Sequence, residues 1–327
     1  MTSTAVIQAK RGIGDVVWHL PFVRAIARAS PEGKVTFLAP PSSHARNVLA
    51  AEPSITETIY FEHSGSELRR AINLARLVAL LRRRRFKTVW ILDRTLRPGI
   101  AAFLAGVPER IGVGLTAQRF LISNAGIDHS HYHDHPIDWL RALMVQMNVP
   151  FSSTEPSLPV REDRLAAVAE RYRSQARPWI VLGIGAFHAG RDWPDDYWAQ
   201  FLVGLRGLTA GTIFLIGGAD NALRAQRLIA ENPAARIVNG CDLALGDALA
   251  LLRHADLFVG TDSGALNLAA AVGTTAFGLF GVNRALDYSR FIEPISPEGG
   301  QSPDGMLRIA PAQVLERVKA ALARREA

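Results

Sequence analysis

Two stretches of this sequence hold residues whose types and spacing suit chemistry on a phosphorylated ligand, and the first contains a contradiction. "KRGIGDVVWHLP", residues 10–21, follows the apolar run 5–9 and sets Gly12 and Gly14 two apart, immediately before Asp15. A glycine-rich turn between strand and helix ordinarily cradles phosphate, because the free amides at a helix start and the helix dipole favour negative charge. Here a carboxylate stands where that anion would sit. Read locally, Asp15 is a helix N-cap and Gly14 permits the tight turn. A dinucleotide fingerprint fails on two counts. Val17 occupies the place of the third glycine, and the second strand closes on Ala39-Pro40-Pro41, with no acid to hold a ribose.

The second stretch is "FVGTDSGALNLAAAVGTTAFGLFG", residues 258–281. An apolar strand ends at Gly260, the small-residue turn Thr261-Asp262-Ser263-Gly264 follows, and a helix with Ala269-Ala270-Ala271 comes next. Such a turn exposes unpaired amides and a hydroxyl at a helix start, which suits a diphosphate; a plain capped helix is the alternative. Upstream, "VLGIGAFHAGRDWPDDYWAQF" reads as a strand, an irregular loop and a helix opened by Pro194. Arg191 in that loop is placed to neutralise a leaving diphosphate, or else is a solvated loop arginine.

Two further clusters are less specific. "DHSHYHDHP", residues 128–136, packs four histidines into a loop, but their spacing suits no particular ligand set, so no metal is expected. "RRRRF" begins with Arg82–Arg85 at the end of a helix, where the dipole favours cations. Those arginines either face solvent or meet an acidic acceptor or membrane surface, and the second alternative implies a peripheral position on the inner leaflet.

These residues must be positioned by a chain of 327 residues, 48% hydrophobic and 20% charged, which is long enough for two domains. Strands are expected at 5–9, 35–38, 58–61 and 88–92, with helices near 16–29, 43–51, 67–84 and 136–147. "NVPFSSTEPSLP", residues 148–159, reads as a linker. The alternation then restarts with a helix around 164–173 and strands at 179–183, 212–216, 257–260 and 275–279. A helix at 311–325 closes the chain. Alternating strands and helices predict parallel α/β sheets, hence two Rossmann-like domains with ligands at the carboxyl ends of facing strands. The expected divisions are 1–155, 156–310 and a closing helix over 311–327. The single cysteine, Cys241, and the absence of an N-terminal leader or spanning run suggest a cytoplasmic protein. A net charge of +7 favours an acidic partner. No nucleic-acid-binding signature accompanies it.

Three motifs, "RGIGDVVWHLPFVRAI", "GRDWPDDYW" and "GTDSGALNLAAAVGTTAFGLFG", resemble in order and spacing the bacterial heptosyltransferases of glycosyltransferase family 9. The likeness runs over nearly the whole chain. It implies the glycosyltransferase B fold, two Rossmann-like domains across a cleft, with the donor nucleotide in the C-terminal half and the acceptor in the N-terminal half. It also implies inverting, metal-independent transfer of heptose from ADP-heptose to lipopolysaccharide inner core, with a nucleotide sugar and an acidic glycolipid as partners and no cofactor. On that reading Asp15 faces the acceptor as general base, and Gly12 and Gly14 keep the turn small. Ser263 and Gly264 hold phosphate, Asp262 meets a sugar hydroxyl, and Asp220 in "LIGGADN" holds the ribose or else caps a helix. Thr261 and Asn267 complete the donor-binding set.

The sequence departs from the family pattern at three places. Arg191 replaces the lysine of K-x-W-P, Asn267 replaces the histidine of D-S-G-x-x-H-L-A-A, and Ala186 and Phe187 stand where hydroxyl residues are common. Arginine keeps the charge but offers a planar fork in place of a point charge. A noncatalytic nucleotide- or glycan-binding protein of the same fold, or a transferase using another nucleotide sugar, would tolerate all three.

Overall fold

The computed structural model describes residues 2–326 apart from His63, Phe187 and Leu286, and divides between Leu158 and Pro159 into two compact units. The first contains β1 (Thr4–Ile7), α1 (Ile13–Ala29), β2 (Val35–Ala39), α2 (Ala45–Val48), β3 (Ile55–Tyr60), α3 (Glu67–Arg84), β4 (Thr88–Ile91), α4 (Leu96–Leu104), β5 (Glu109–Gly112) and α5 (Pro136–Gln146). Its strands pair in parallel in the order β3-β2-β1-β4-β5. β1 and β2 are buried along their whole length, which is why they read as unbroken apolar runs. Leu77 and Leu81 of α3 and Ala101 and Ala102 of α4 cover one face, packed on Ile7, Leu38 and Val89. Because the chain builds outward from β1 in both directions, the switch point lies between the carboxyl ends of β1 and β4.

The second unit contains α6 (Glu162–Arg171), β6 (Trp179–Gly183), α7 (Asp195–Leu208), β7 (Thr212–Ile216), α8 (Ala222–Glu231), β8 (Ile237–Asn239), α9 (Leu245–His254), β9 (Leu257–Thr261), α10 (Gly264–Ala271), β10 (Ala276–Leu279), β11 (Ile292–Ile295) and α11 (Pro311–Glu326). The parallel order is β11-β10-β9-β6-β7-β8, so this switch point lies between β6 and β9. The closing helix α11 is part of this core: Val314 and Val318 are fully buried in it, and Leu315 lies where a Cβ on Gly204 of α7 would stand.

The sequence reading misses β5, β8 and β11, which are short and only partly buried. All three are edge strands, and β11 carries Pro294, tolerated where no neighbour needs its amide. It also misses α4, whose Pro98-Gly99 looks like a turn; Pro98 falls in the first turn, where its missing N–H has no helical partner to lose. The helix expected over 43–51 shrinks to a 3-10 turn and the single turn α2, separated by His44 in the left-handed region at φ 53°. α1 begins three residues earlier than the expected 16, which places Gly14 and Asp15 inside the helix.

Candidate active site

In the first unit, β1 and β4 deliver the residues around their switch point. Asp93, fully buried after β4, accepts hydrogen bonds from the Ala9 amide at 2.8 Å, the Thr95 amide at 2.7 Å and the Thr95 hydroxyl. One carboxylate therefore pins both strand exits. Asp15 is the third residue of α1, not its N-cap, and its Oδ2 accepts from the Gly12 amide at 3.1 Å. Gly12 is extended at φ −84°, and neither it nor Gly14 has a positive φ. Gly12 leaves the carboxylate room: a Cβ there would stand 2.8 Å from Asp15 Oδ2 and push it aside.

One helical turn on, His19 is wholly buried, and its Nδ1 has no hydrogen-bond partner. Burial holds its pKa below 6.5, against the opposing pull of Asp15 and Asp93. His135, half-buried and edge-on to Trp18 with centroids 5.2 Å apart, is lowered chiefly by burial; Asp138 pulls it up, while His19 and Lys10 push it further down. The sequence signals only Asp15 in this group. His19 lies one turn along the same helix, and Asp93 after β4 and His135 at the start of α5 are brought near only by the tertiary fold, which no local pattern records.

In the second unit, Thr261 ends β9 with its side chain buried, its hydroxyl donating to the Gly185 carbonyl at 3.3 Å. It ties the exits of β9 and β6 together. Asp262 Oδ2 accepts from Arg191 Nη1 at 3.2 Å and Asn283 Nδ2 at 2.9 Å. That oxygen is thus engaged by two protein donors. Ser263 occupies the N-cap of α10, but its Oγ makes no capping bond and is buried without a partner. A capping serine normally spends its hydroxyl on an amide of the first turn. Among the described residues this hydroxyl has no hydrogen-bond partner, and α10 begins at Gly264 without a side-chain cap.

Asn267 lies behind this turn. Its Nδ2 donates to the Ser263 carbonyl at 2.8 Å and its Oδ1 accepts from the Tyr288 hydroxyl, so it positions Ser263. Asp220 is exposed in the turn after β7, where its Oδ1 accepts from Asn221 Nδ2 at 3.1 Å; it does not cap α8. Ala186 is half-buried after β6, and Phe187 falls outside the described residues.

Arg191 is held in its loop by a residue the sequence does not announce. Arg224 of α8 donates to the Ile184 carbonyl, to Asp192 Oδ2 at 2.7 Å and to the Trp193 carbonyl at 2.7 Å, and pairs with Asp195 at 2.6 Å. Trp193 is buried beneath, its Nε1 donating to the Ile309 carbonyl at 2.9 Å. Arg224 and Asn283 carry no local signal; only folding brings them to the loop.

In the two less specific clusters some side chains are engaged within the protein. His131 pairs with Asp134 at 2.7 Å, and His135 caps α5 through Nδ1. Among the described residues no group of three or more His, Cys, Asp or Glu side chains is arranged to hold a metal ion. Arg84 pairs with Glu57 at 2.5 Å, and Arg82 donates to the Leu104 carbonyl at 2.7 Å, so two of the four arginines have protein partners.

Residues 74–300 match the profile of glycosyltransferase family 9 (heptosyltransferase). The chain belongs to that family. Lipopolysaccharide heptosyltransferase 2 of Escherichia coli K12 is 21% identical over 350 residues, covering 96% of this chain and 97% of that protein. The solved structure of E. coli ADP-heptose lipopolysaccharide heptosyltransferase II aligns over all of both chains with a TM-score of 0.79 and 21% identity. That of E. coli heptosyltransferase WaaC with ADP-2-deoxy-2-fluoro heptose covers 97% of this chain and 99% of its own, with a TM-score of 0.73 and 14% identity. The family 9 chain is a glycosyltransferase with the glycosyltransferase B fold of two Rossmann-like domains. The profile match includes the Arg191 loop and the Ser263 turn; Asp15 lies before it.

Proposed function

We propose that this family 9 enzyme transfers heptose from ADP-heptose to an acidic lipopolysaccharide inner-core acceptor, inverting the anomeric carbon without a metal or other cofactor. The observation that carries the donor assignment is the buried, unpartnered Ser263 Oγ at the N-terminus of α10, one residue from the Arg191–Asp262 pair. A hydroxyl, free helix-start amides and a guanidinium together match a diphosphate. Asp220, with its exposed carboxylate, takes the ribose hydroxyls. The named relatives, one of them solved with an ADP-heptose analogue, support adenosine as the base and heptose as the sugar.

In the reaction the acceptor hydroxyl oxygen bonds to the anomeric carbon while the bond from that carbon to the diphosphate breaks. The hydroxyl proton passes to Asp15, and the electron pair leaves with ADP. Arg191 and the α10 amides stabilise the charge developing on the departing phosphate. Asp262 orients Arg191, and Asn267 holds the Ser263 carbonyl in place. Donor and acceptor of this kind set the work at the cytoplasmic face of the inner membrane. The test is a thermal-shift series with ADP, UDP, GDP and NAD in the presence of a chelator, followed by ADP release from ADP-heptose with and without acceptor. ADP alone should stabilise the chain strongly, and release should require acceptor. A preference for UDP, or a shift abolished by chelator, overturns the donor assignment; binding without release overturns the transfer.

A further inference from the structure

Helix α3 carries its charge and its greasy residues in an unusual place. Between Glu67 and Arg85 the sequence has seven arginines against one glutamate, a local +6 within a chain of net +7. Leu77 and Leu81 are the side chains this helix buries. On the opposite side, Leu68, Ile72, Ala75 and Ala79 follow the helical spacing i, i+4, i+7, i+11 and form one exposed apolar stripe. Leu68 is 73% exposed and Ile72 43%. Beside the helix, α4 adds Phe103 at 52% and Leu104 at 47%. Arg82 flanks the stripe on one side and Arg76 and Arg83 on the other, all exposed.

A solvated helix would put its arginines outward and its leucines in. Here both the outward face and its flanks are suited to an environment that is apolar in its depth and anionic at its rim. Long arginine side chains snorkel to such a rim while their stems cover apolar surface. The helix is no membrane span, since among the described residues none is long and apolar enough to cross a bilayer. An amphipathic helix lying in the interface, with cations beside an apolar strip, matches an anionic lipid surface.

We infer that the α3–α4 face of the first unit docks on an anionic bilayer, with Leu68, Ile72 and Leu104 entering the acyl boundary and Arg76, Arg82 and Arg83 on the headgroups. This deepens the proposed function by bringing the enzyme to a lipid-linked acceptor, and it rests on that reading for its purpose. Vesicle partition needs neither donor nor acceptor, so its failure leaves the transfer reading standing.

The test is co-sedimentation of the full chain with vesicles of phosphatidylcholine alone or of equal parts phosphatidylcholine and phosphatidylglycerol, over a range of salt. Binding should require phosphatidylglycerol and weaken with salt. The Leu68→Ser/Ile72→Ser variant should partition roughly tenfold less or worse with an unchanged melting temperature, because both side chains are already exposed. Arg76→Gln/Arg83→Gln should lose about fivefold per charge and flatten the salt dependence. Equal binding to both vesicle types, no binding, or wild-type partition by either variant overturns the inference. So does a dimer in sedimentation velocity that the serine variant dissolves while vesicle binding is absent, which would make a second copy of the chain the occupant.

Discussion

Arg191 Nη1 stands 3.2 Å from Asp262 Oδ2, joining the loop after β6 to the turn after β9 across 71 residues of sequence. Both ends are partly exposed, so the pair adds roughly 0–1 kcal/mol to stability, and its consequence is orientation. The guanidinium is fixed one residue from the Ser263 turn, and Asn283 steadies the carboxylate that fixes it.

Asp262→Asn and Arg191→Gln should therefore each lower kcat by about tenfold or more, since each removes positioned charge stabilisation of the leaving phosphate. The double variant should be little worse than the worse single, because both act through one guanidinium. Melting temperatures should hardly move. A complete kinetic cycle checks this; effects that multiply would assign the two residues independent tasks.

Ser263→Ala separates binding from folding. A hydroxyl bonded to a charged phosphate contributes roughly 1.5–3 kcal/mol, so ADP affinity should fall by about tenfold or more. Without ligand the variant should melt at or above the wild-type temperature, because a buried hydroxyl without a partner is removed. Calorimetry on ADP binding together with unliganded melting decides the matter. Unchanged affinity with reduced stability would make the hydroxyl structural.

Asp15→Asn keeps an oxygen able to accept from the Gly12 amide and removes the proton acceptor. Turnover should drop by roughly 10²–10⁴-fold. The lost charge at the helix N-terminus costs about 0.3–1 kcal/mol of stability. ADP affinity should stay the same, the proposed nucleotide site lying in the other unit. Gly12→Ala should show a milder version of the same kinetic defect, because its Cβ meets the carboxylate. A near-normal rate in the asparagine variant would remove Asp15 from the chemistry.

Stability should depend on pH through His19. Burial lowers its folded-state pKa from 6.5, so the unfolded chain binds the proton more readily. The stabilisation is complete above pH 6.5 and is lost as pH falls from there toward the lowered folded value. Denaturant midpoints measured across that window should decline in the wild type, and His19→Asn should flatten the slope. His135, shifted the same way but half-exposed, should contribute less. A slope unchanged in the His19 variant would place the dependence elsewhere.

Much of the fold is legible in the sequence because buried parallel strands must be apolar on both faces. β6 and β7 coincide with their expected bounds, as does α3 with its apolar positions at helical spacing. The edge strands β5, β8 and β11 are hidden because, among the described residues, one side of each pairs with no strand and needs no continuous apolar run. At the candidate sites, Asp15, Arg191 and the Ser263 turn are visible because each sits in a local strand–turn–helix context that the chain writes consecutively. Their partners are not. Asp93 reaches Ala9 across 84 residues, Arg224 reaches Asp192 across 32, and Asn283 reaches Asp262 across 21. Residue type and local spacing determined which groups are available for chemistry. Strand order decided which of them share a carboxyl edge, and hence which hydroxyls and carboxylates are spent inside the protein. Hydrogen bonding is satisfied in space rather than along the chain, so Thr261 and Asn267, which the sequence marks only as donor-binding candidates, also tie the strand exits and the Ser263 turn together in the fold.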